Sequence, residues 1–235
     1  GGMPAPYATY ADYYGRRRVS VAEPISAADE PELPRLLISK EAASRLWAGA
    51  AGGSDFGQDR TKAESGAPVS RALGSRATIR LQSVIEGRDG SNVAGVLRGS
   101  DPKLRDQAVV YTAHYDAFGV GADGRIYPGA ADNALGTAMM LGAAEALAKS
   151  STRPRRSIIF LSVTGEEYGL LGAEYWTGHP QWPLDKIVAD LNFDGIGTET
   201  YGPVKQVVAF GREYSDLGGV FEQVVVAAGD TVIED

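Results

Sequence analysis

Hydrophobic and polar positions change their rhythm partway along the chain. Before residue 75 the pattern is broken. Residues 36–39 (LLIS) are a short apolar run that predicts a strand. Residues 40–48 follow, with helix-forming Glu41, Ala42 and Leu46 behind Ser39, a residue type that caps helix starts. Residues 50–67 are rich in Gly, Ser and Asp and predict a loop or linker. From residue 77 the rhythm becomes regular. Ile79, Leu81 and Ser83 alternate with Arg80 and Gln82, which predicts a half-buried strand over 77–86. A turn at 87–90 separates it from 92–98 (NVAGVLR), so the two are expected to pair as a hairpin. Further strands are predicted over 107–114 (QAVVYTAH), 157–164 (SIIFLSVT), 187–194 (IVADLNFD) and 206–210. The run at 157–164 is apolar enough to be central. Helices are predicted over 133–149, 167–177 and 215–228. The first of these carries only Glu145 and Lys149 as charges, an i,i+4 pair, so most of its surface is expected to be buried on a sheet. Strands alternating with helices predict an α/β fold: a three-layer sandwich with a mixed, largely parallel central sheet flanked by helices.

Composition narrows the function classes. Lys and Arg number 23 against 30 Asp and Glu, a net charge of −7, which argues against a nucleic-acid partner. There is no cysteine, so disulfides and thiolate metal sites are excluded. With 43% hydrophobic and 23% charged residues the chain is not of disordered type. The longest uncharged stretch of the most apolar region, 133–144, is too short to span a bilayer. No signal-peptide pattern opens the sequence. Arg16, Arg17 and Arg18 read as a solvated face, and Tyr7 to Tyr14 as packing. No pattern in the chain encodes an oligomeric state.

Two familiar signatures fail. GVGADG (119–124) has the spacing of a dinucleotide loop, but RIYPG follows it and cannot open the helix that such a loop needs. It reads instead as a long, Gly-rich binding loop between His114 and Asp132. No G-x-S-x-G elbow is present for a serine hydrolase.

The chemistry-bearing residues fall at four strand ends or just beyond, where α/β folds place their sites. His114 and Asp116 end one strand; Asp132 precedes the apolar helix; Glu166 and Glu167 follow another strand; Asp194 ends a third. Each has a plainer reading, such as Asp132 as the helix cap. Together they are five carboxylates and an imidazole with no Lys or Arg in the same motifs. Carboxylates gathered at one sheet edge repel, and a dication or two resolves the repulsion. Asp132 is placed to bridge two ions. Of the adjacent Glu166 and Glu167, one can ligate while the other serves as general base. Asp116 suits a carboxylate that orients the imidazole.

YTAHYDAFG, PGAADNALGTA, SVTGEEYGLLGAEYW and IVADLNFDGIG, in that order, resemble the successive motifs of metallopeptidase family twenty-eight. That family holds di-zinc aminopeptidases, glutamate carboxypeptidases and the catalytically inert transferrin receptor. The resemblance runs over about 77–235 and implies a mixed eight-stranded sheet. It implies that His114 and Asp194 ligate one zinc, Asp132 bridges, and Glu167 ligates the other. Glu166 resembles the general base and Asp116 the partner of His114. The peptide bond after the bridging aspartate is often cis in the family. The implied activity is zinc-dependent exopeptidase cleavage of a peptide substrate, most of all as an aminopeptidase. A glutamate-carboxypeptidase type, with Arg125 as the visible grip on a carboxylate, and an inactive binding module are the alternatives. Residues 33–47 (LPRLLISKEAASRLW) resemble the end of a protease-associated domain, so 1–75 is expected to be a remnant of one plus a linker, with 76–235 the catalytic domain. The resemblance also implies a secreted or periplasmic location in a bacterium. One departure stands out: the family pattern closes on a histidine, and none follows Asp194. The other histidine, His179, lies in a loop whose His is not a ligand in relatives. The chain is therefore expected to be a fragment of a longer enzyme, with the second zinc lacking its imidazole.

Overall fold

A computed structural model describes residues 7–8, 19–21, 36–50, 55–68, 86–121, 123–195, 197, 203 and 205–233, with 70, 72–74, 76, 78–80, 82 and 84 as separate positions. The chain groups into two units: residues 1–90 with 118–127, and residues 91–117 with 128–235.

In the first unit, α1 (Lys40–Ala48) starts where Ser39 accepts the Ala42 N–H, as its capping chemistry predicts. Residues 36–39 carry no strand, contrary to expectation; among the described residues no strand pairs with them. A second correction is α2 (Phe56–Glu64), which lies inside the expected linker. Asp55 caps it by accepting the Gln58 N–H at 2.9 Å, and an Arg60–Glu64 pair supports it. Trp47 joins the two helices, donating Nε1–H to Asp59 at 3.0 Å and meeting Phe56 edge to face. The predicted strand over 77–86 lies partly outside the described residues; its described positions form no strand. The expected dinucleotide-loop failure holds: β3 (Gly119–Val120) and β4 (Ile126–Tyr127) form a small antiparallel hairpin and no helix.

The second unit holds the main sheet. It comprises β1 (Val93–Leu97), β2 (Ala108–His114), β5 (Ser157–Val163) and β6 (Ile187–Asn192), in the order β1-β5-β2-β6. β2 pairs in parallel with both β5 and β6, and β1 runs antiparallel to β5. The sheet is thus mixed and largely parallel, as the pattern predicts. β1 pairs with β5; the hairpin expected between 92–98 and 77–86 falls partly outside the described residues. β5 and β2 occupy the middle and are mostly buried, which explains their unbroken apolar runs. Two two-residue strands, β7 (Gln206–Val207) and β8 (Thr231–Val232), pair separately, so 206–210 is a shorter strand than predicted.

Three helices accompany these strands. α3 (Leu135–Lys149) packs against β2 and β5. Only Gly136 and Met140 of it are buried, which corrects the expectation of a mostly covered surface: one stripe meets the sheet while Met139 and Leu141 face outward. α4 (Leu171–Gly178) supplies Trp176 to a core with Ala108, Val110, Ile159, Leu161 and Val163. Residues 167–177 are not one helix. A 3-10 turn (Glu166–Tyr168) comes first, and Gly169 and Leu170, both at positive φ, break the path before α4. α5 (Leu217–Ala227) fills the predicted 215–228.

Candidate metal centre

The parallel register brings the carboxyl ends of β2, β5 and β6 to one side. His114 pairs with Val163 across the sheet, which sets the Glu166–Glu167 turn beside the imidazole. Thr112 pairs with Asn192, which sets Asp194 there as well. His114 is 2% exposed. Its Nε2 faces three carboxylates: Asp132 Oδ1 at 3.0 Å, Asp194 Oδ1 at 3.2 Å and Glu166 Oε2 at 3.7 Å. Donor atoms of His114, Glu166 and Asp194 all lie within 4.8 Å of one another.

Asp116 stands behind the imidazole. Its carboxylate is 3.6 Å from His114 Nδ1, and its backbone oxygen is 3.2 Å from the same nitrogen. The same carboxylate accepts the Glu166 N–H at 3.1 Å and the Glu167 N–H at 3.4 Å. One side chain therefore holds both the imidazole and the glutamate turn. That second task was not visible in the sequence, because it joins residues far apart along the chain.

Asp132 is not the helix cap that its position allowed. A π-type turn (Ala130–Ala134) precedes α3, and the capping oxygen comes from Asn133, which accepts the Gly136 N–H at 3.0 Å. Asn133 is 1% exposed and also donates to Phe193 O at 2.8 Å, tying the Asp132 turn to the backbone before Asp194. The Asp132–Asn133 bond is cis. Thr137 donates to His114 O at 2.9 Å. Sequence reading passed over Asn133 and Thr137; a capping-type residue directly after a candidate ligand was the available signal.

His179 is elsewhere. It follows α4, with its ring stacked on Tyr175 and Nδ1 3.1 Å from Tyr175 O, and it is not in the donor group.

Charge is the dominant physical fact of this site. Burial alone pushes the His114 pKa down, but Asp194, Glu166, Asp116 and Asp132 together carry it above its ordinary value. Burial raises Glu166, helped by Asp194, Asp116 and Asp132 and opposed by His114. Glu167 is pushed up to about 7, by burial first and then by Asp132 and Glu166. No lysine or arginine pairs with these carboxylates among the described residues. Tetrahedral zinc with bonds of about 2.0–2.1 Å wants donors about 3.3 Å apart. The 3.0 and 3.2 Å separations around Nε2 match that, so the donor set fits a zinc-type dication.

A cavity of about 450 Å³ adjoins the cluster, walled by Leu161, Val163, Trp176 and Ile187, with Thr112, Asp190 and Asn192 as its polar side. Thr112 is 3.0 Å from Asp190 and 2.9 Å from Asn192. Burial raises the Asp190 pKa.

The sequence model of peptidase family M28 matches residues 92–235. Among curated relatives, an aminopeptidase of Mus musculus is 35% identical over 127 residues, 52% of this chain and 16% of its own length. Aminopeptidase YwaD of Bacillus subtilis is 32% identical over 124 residues, 52% of this chain and 25% of its own. A vacuolar membrane protease of Clavispora lusitaniae is 35% identical over 109 residues, 46% of this chain and 10% of its own. The chain spans a quarter or less of the length of these relatives. The solved structure of a zinc aminopeptidase from Bacillus subtilis is 26% identical, with a TM-score of 0.49 over 60% of this chain and 33% of that one. These findings correct the expected location. Relatives named as fungal vacuolar membrane proteases and as mammalian aminopeptidases stand beside a bacterial one, so a bacterial secreted or periplasmic address does not follow from the resemblance. None of the described helices is long and apolar enough to cross a membrane.

Proposed function

The chain belongs to peptidase family M28, and from that premise we propose that it carries the catalytic centre of a zinc-dependent exopeptidase of aminopeptidase type, acting on the amino ends of peptides. The observation that carries this reading is the crowding of three carboxylates around one buried imidazole nitrogen, with no lysine or arginine paired to them among the described residues. Names of relatives as aminopeptidases support the reaction class. The adjoining cavity has room for a substrate side chain.

His114 and Asp194 would hold one zinc ion, Asp132 would reach both, and Glu167 would hold the second. When bound, the metal supplies Lewis acidity toward the scissile carbonyl and lowers the pKa of water. Glu166 is the general base. Burial holds its pKa above the ordinary carboxylate value, which favours a group that takes a proton from water and returns it to the leaving amine. Asp116 keeps the His114 ring in orientation and anchors the backbone that presents Glu166.

Glu166 also belongs to the compact donor group, so the two possible roles must be separated. Glu166→Gln in a chain that binds zinc is expected to keep its zinc and lose turnover of an aminoacyl reporter amide. Loss of zinc with the substitution would make Glu166 a ligand and remove it as base. A wild-type chain without zinc would overturn the metal reading altogether.

A further inference from the structure

The turn that carries Glu166 and Glu167 is short and awkward. It leaves β5 through Thr164 and Gly165, makes one 3-10 turn, and passes Gly169 and Leu170 at positive φ. Leu170, at φ 62°, is the one non-glycine residue with positive φ among the described residues. Such a path persists only where its surroundings hold it. Asp116 holds its middle, through the amides of Glu166 and Glu167.

Its two ends are held by a residue outside the turn itself, on the approach to a different strand. Asn92 lies immediately before β1. Its Oδ1 accepts the Thr164 N–H at 3.2 Å, at the entry to the turn. Its Nδ2 donates to Gly172 O at 2.7 Å, in the first turn of α4. The ends also bond to each other, Gly172 N–H to Thr164 O at 2.8 Å. Gly172 is glycine for a spatial reason. A Cβ there would lie 2.3 Å from Thr164 O and 2.5 Å from Asn92 Oδ1. The carboxamide thus closes a ring around residues 164–172, using a donor and an acceptor on one planar group.

We propose that Asn92 is a positioning residue for the glutamate turn: its carboxamide staples the entry and exit of 164–172 so that Glu166 and Glu167 are presented to His114 and Asp132. The inference deepens the exopeptidase reading and rests on it for its consequence in catalysis. The staple itself is a property of the chain.

The test uses the whole chain and reads two things. Amide hydrogen exchange is followed at 164–172 and, as reference, in β2 and β5. In Asn92→Ala, exchange at 164–172 is expected to speed up at least about 10-fold while β2 and β5 keep their protection. In the zinc-loaded chain, kcat is expected to fall about 10- to 100-fold with KM unchanged, the usual cost of losing an orienting partner. Asn92→Asp keeps the acceptor for Thr164 and should recover part of both. Gly172→Ala, which crowds the staple from the other side, should reproduce the local exchange change. Unchanged exchange at 164–172 in Asn92→Ala would overturn the proposal. So would uniform loss of protection across the sheet, which would make Asn92 a general structural residue. A full-length wild-type protein that neither binds zinc nor cleaves the reporter would sink the exopeptidase reading, and the exchange data would still decide the staple.

Discussion

Glu167 shows how burial and like charge act on one side chain. Its pKa, pushed up to about 7, lies above the ordinary carboxylate value, so without metal the folded chain binds more protons than the unfolded chain between roughly pH 4.5 and 7. Stability from this group is present below the unfolded value and is lost as pH rises through the folded one. His114, also raised, acts in the same direction through and above its ordinary range. In chelator, the Tm of wild-type is therefore expected to fall relative to Glu167→Gln as pH goes from 5 to 8. Thermal melts followed by circular dichroism check this, and parallel curves for the two proteins would refute it. The chemical types at these positions were legible in the linear order of motifs. The mutual pKa effects were not, because they depend on distances between four separate loops at the strand ends.

Among the elements, α3 offers a paired test of packing. Gly136 sits where a Cβ would come within 2.2 Å of Asn133 Oδ1 and 2.4 Å of Phe193 O. Gly136→Ala must displace the Asn133 bridge that ties the Asp132 turn to the Asp194 strand end, and is expected to cost about 1–3 kcal/mol. Gly142, on the same helix, has nothing within 4 Å of such a Cβ. Gly142→Ala should stabilise by about 0.5–1 kcal/mol, as glycine-to-alanine does inside an exposed helix. Urea denaturation measures both, and equal signs would contradict the placement of α3. Element boundaries separated what could be foreseen from what could not. The cap at Ser39 was readable because capping is local. The break at Gly169 and Leu170 was not, since a leucine at positive φ is tolerated only through tertiary support.

For the whole molecule, the site is a store of electrostatic repulsion within a sheet that holds together by apolar burial. Ile159, 2% exposed at the middle of β5, is part of that sheet core, and Ile159→Ala should cost about 2–5 kcal/mol by equilibrium unfolding. A dication that binds only the folded state adds stability by mass action, about 2.7 kcal/mol at one hundred times its Kd. Zinc is expected to raise the Tm of wild-type and to leave His114→Ala nearly unmoved. An equal rise in both would place the ion elsewhere.

Alternation of apolar strands with helices was written in the order of residues, since burial on both faces demands continuous runs such as SIIFLSV. So was the set of metal-competent groups, because chemistry at a strand end needs particular side chains whatever the neighbours. Pairing was a different matter. Residues 92–98 carry no local mark that they join β5, because an edge strand takes whichever partner the completed sheet offers. The bonds of Asn92, Asp116 and Asn133 belong to this second kind. Each spans dozens of residues or couples separate loops, and exists only once the sheet has brought the strand ends together.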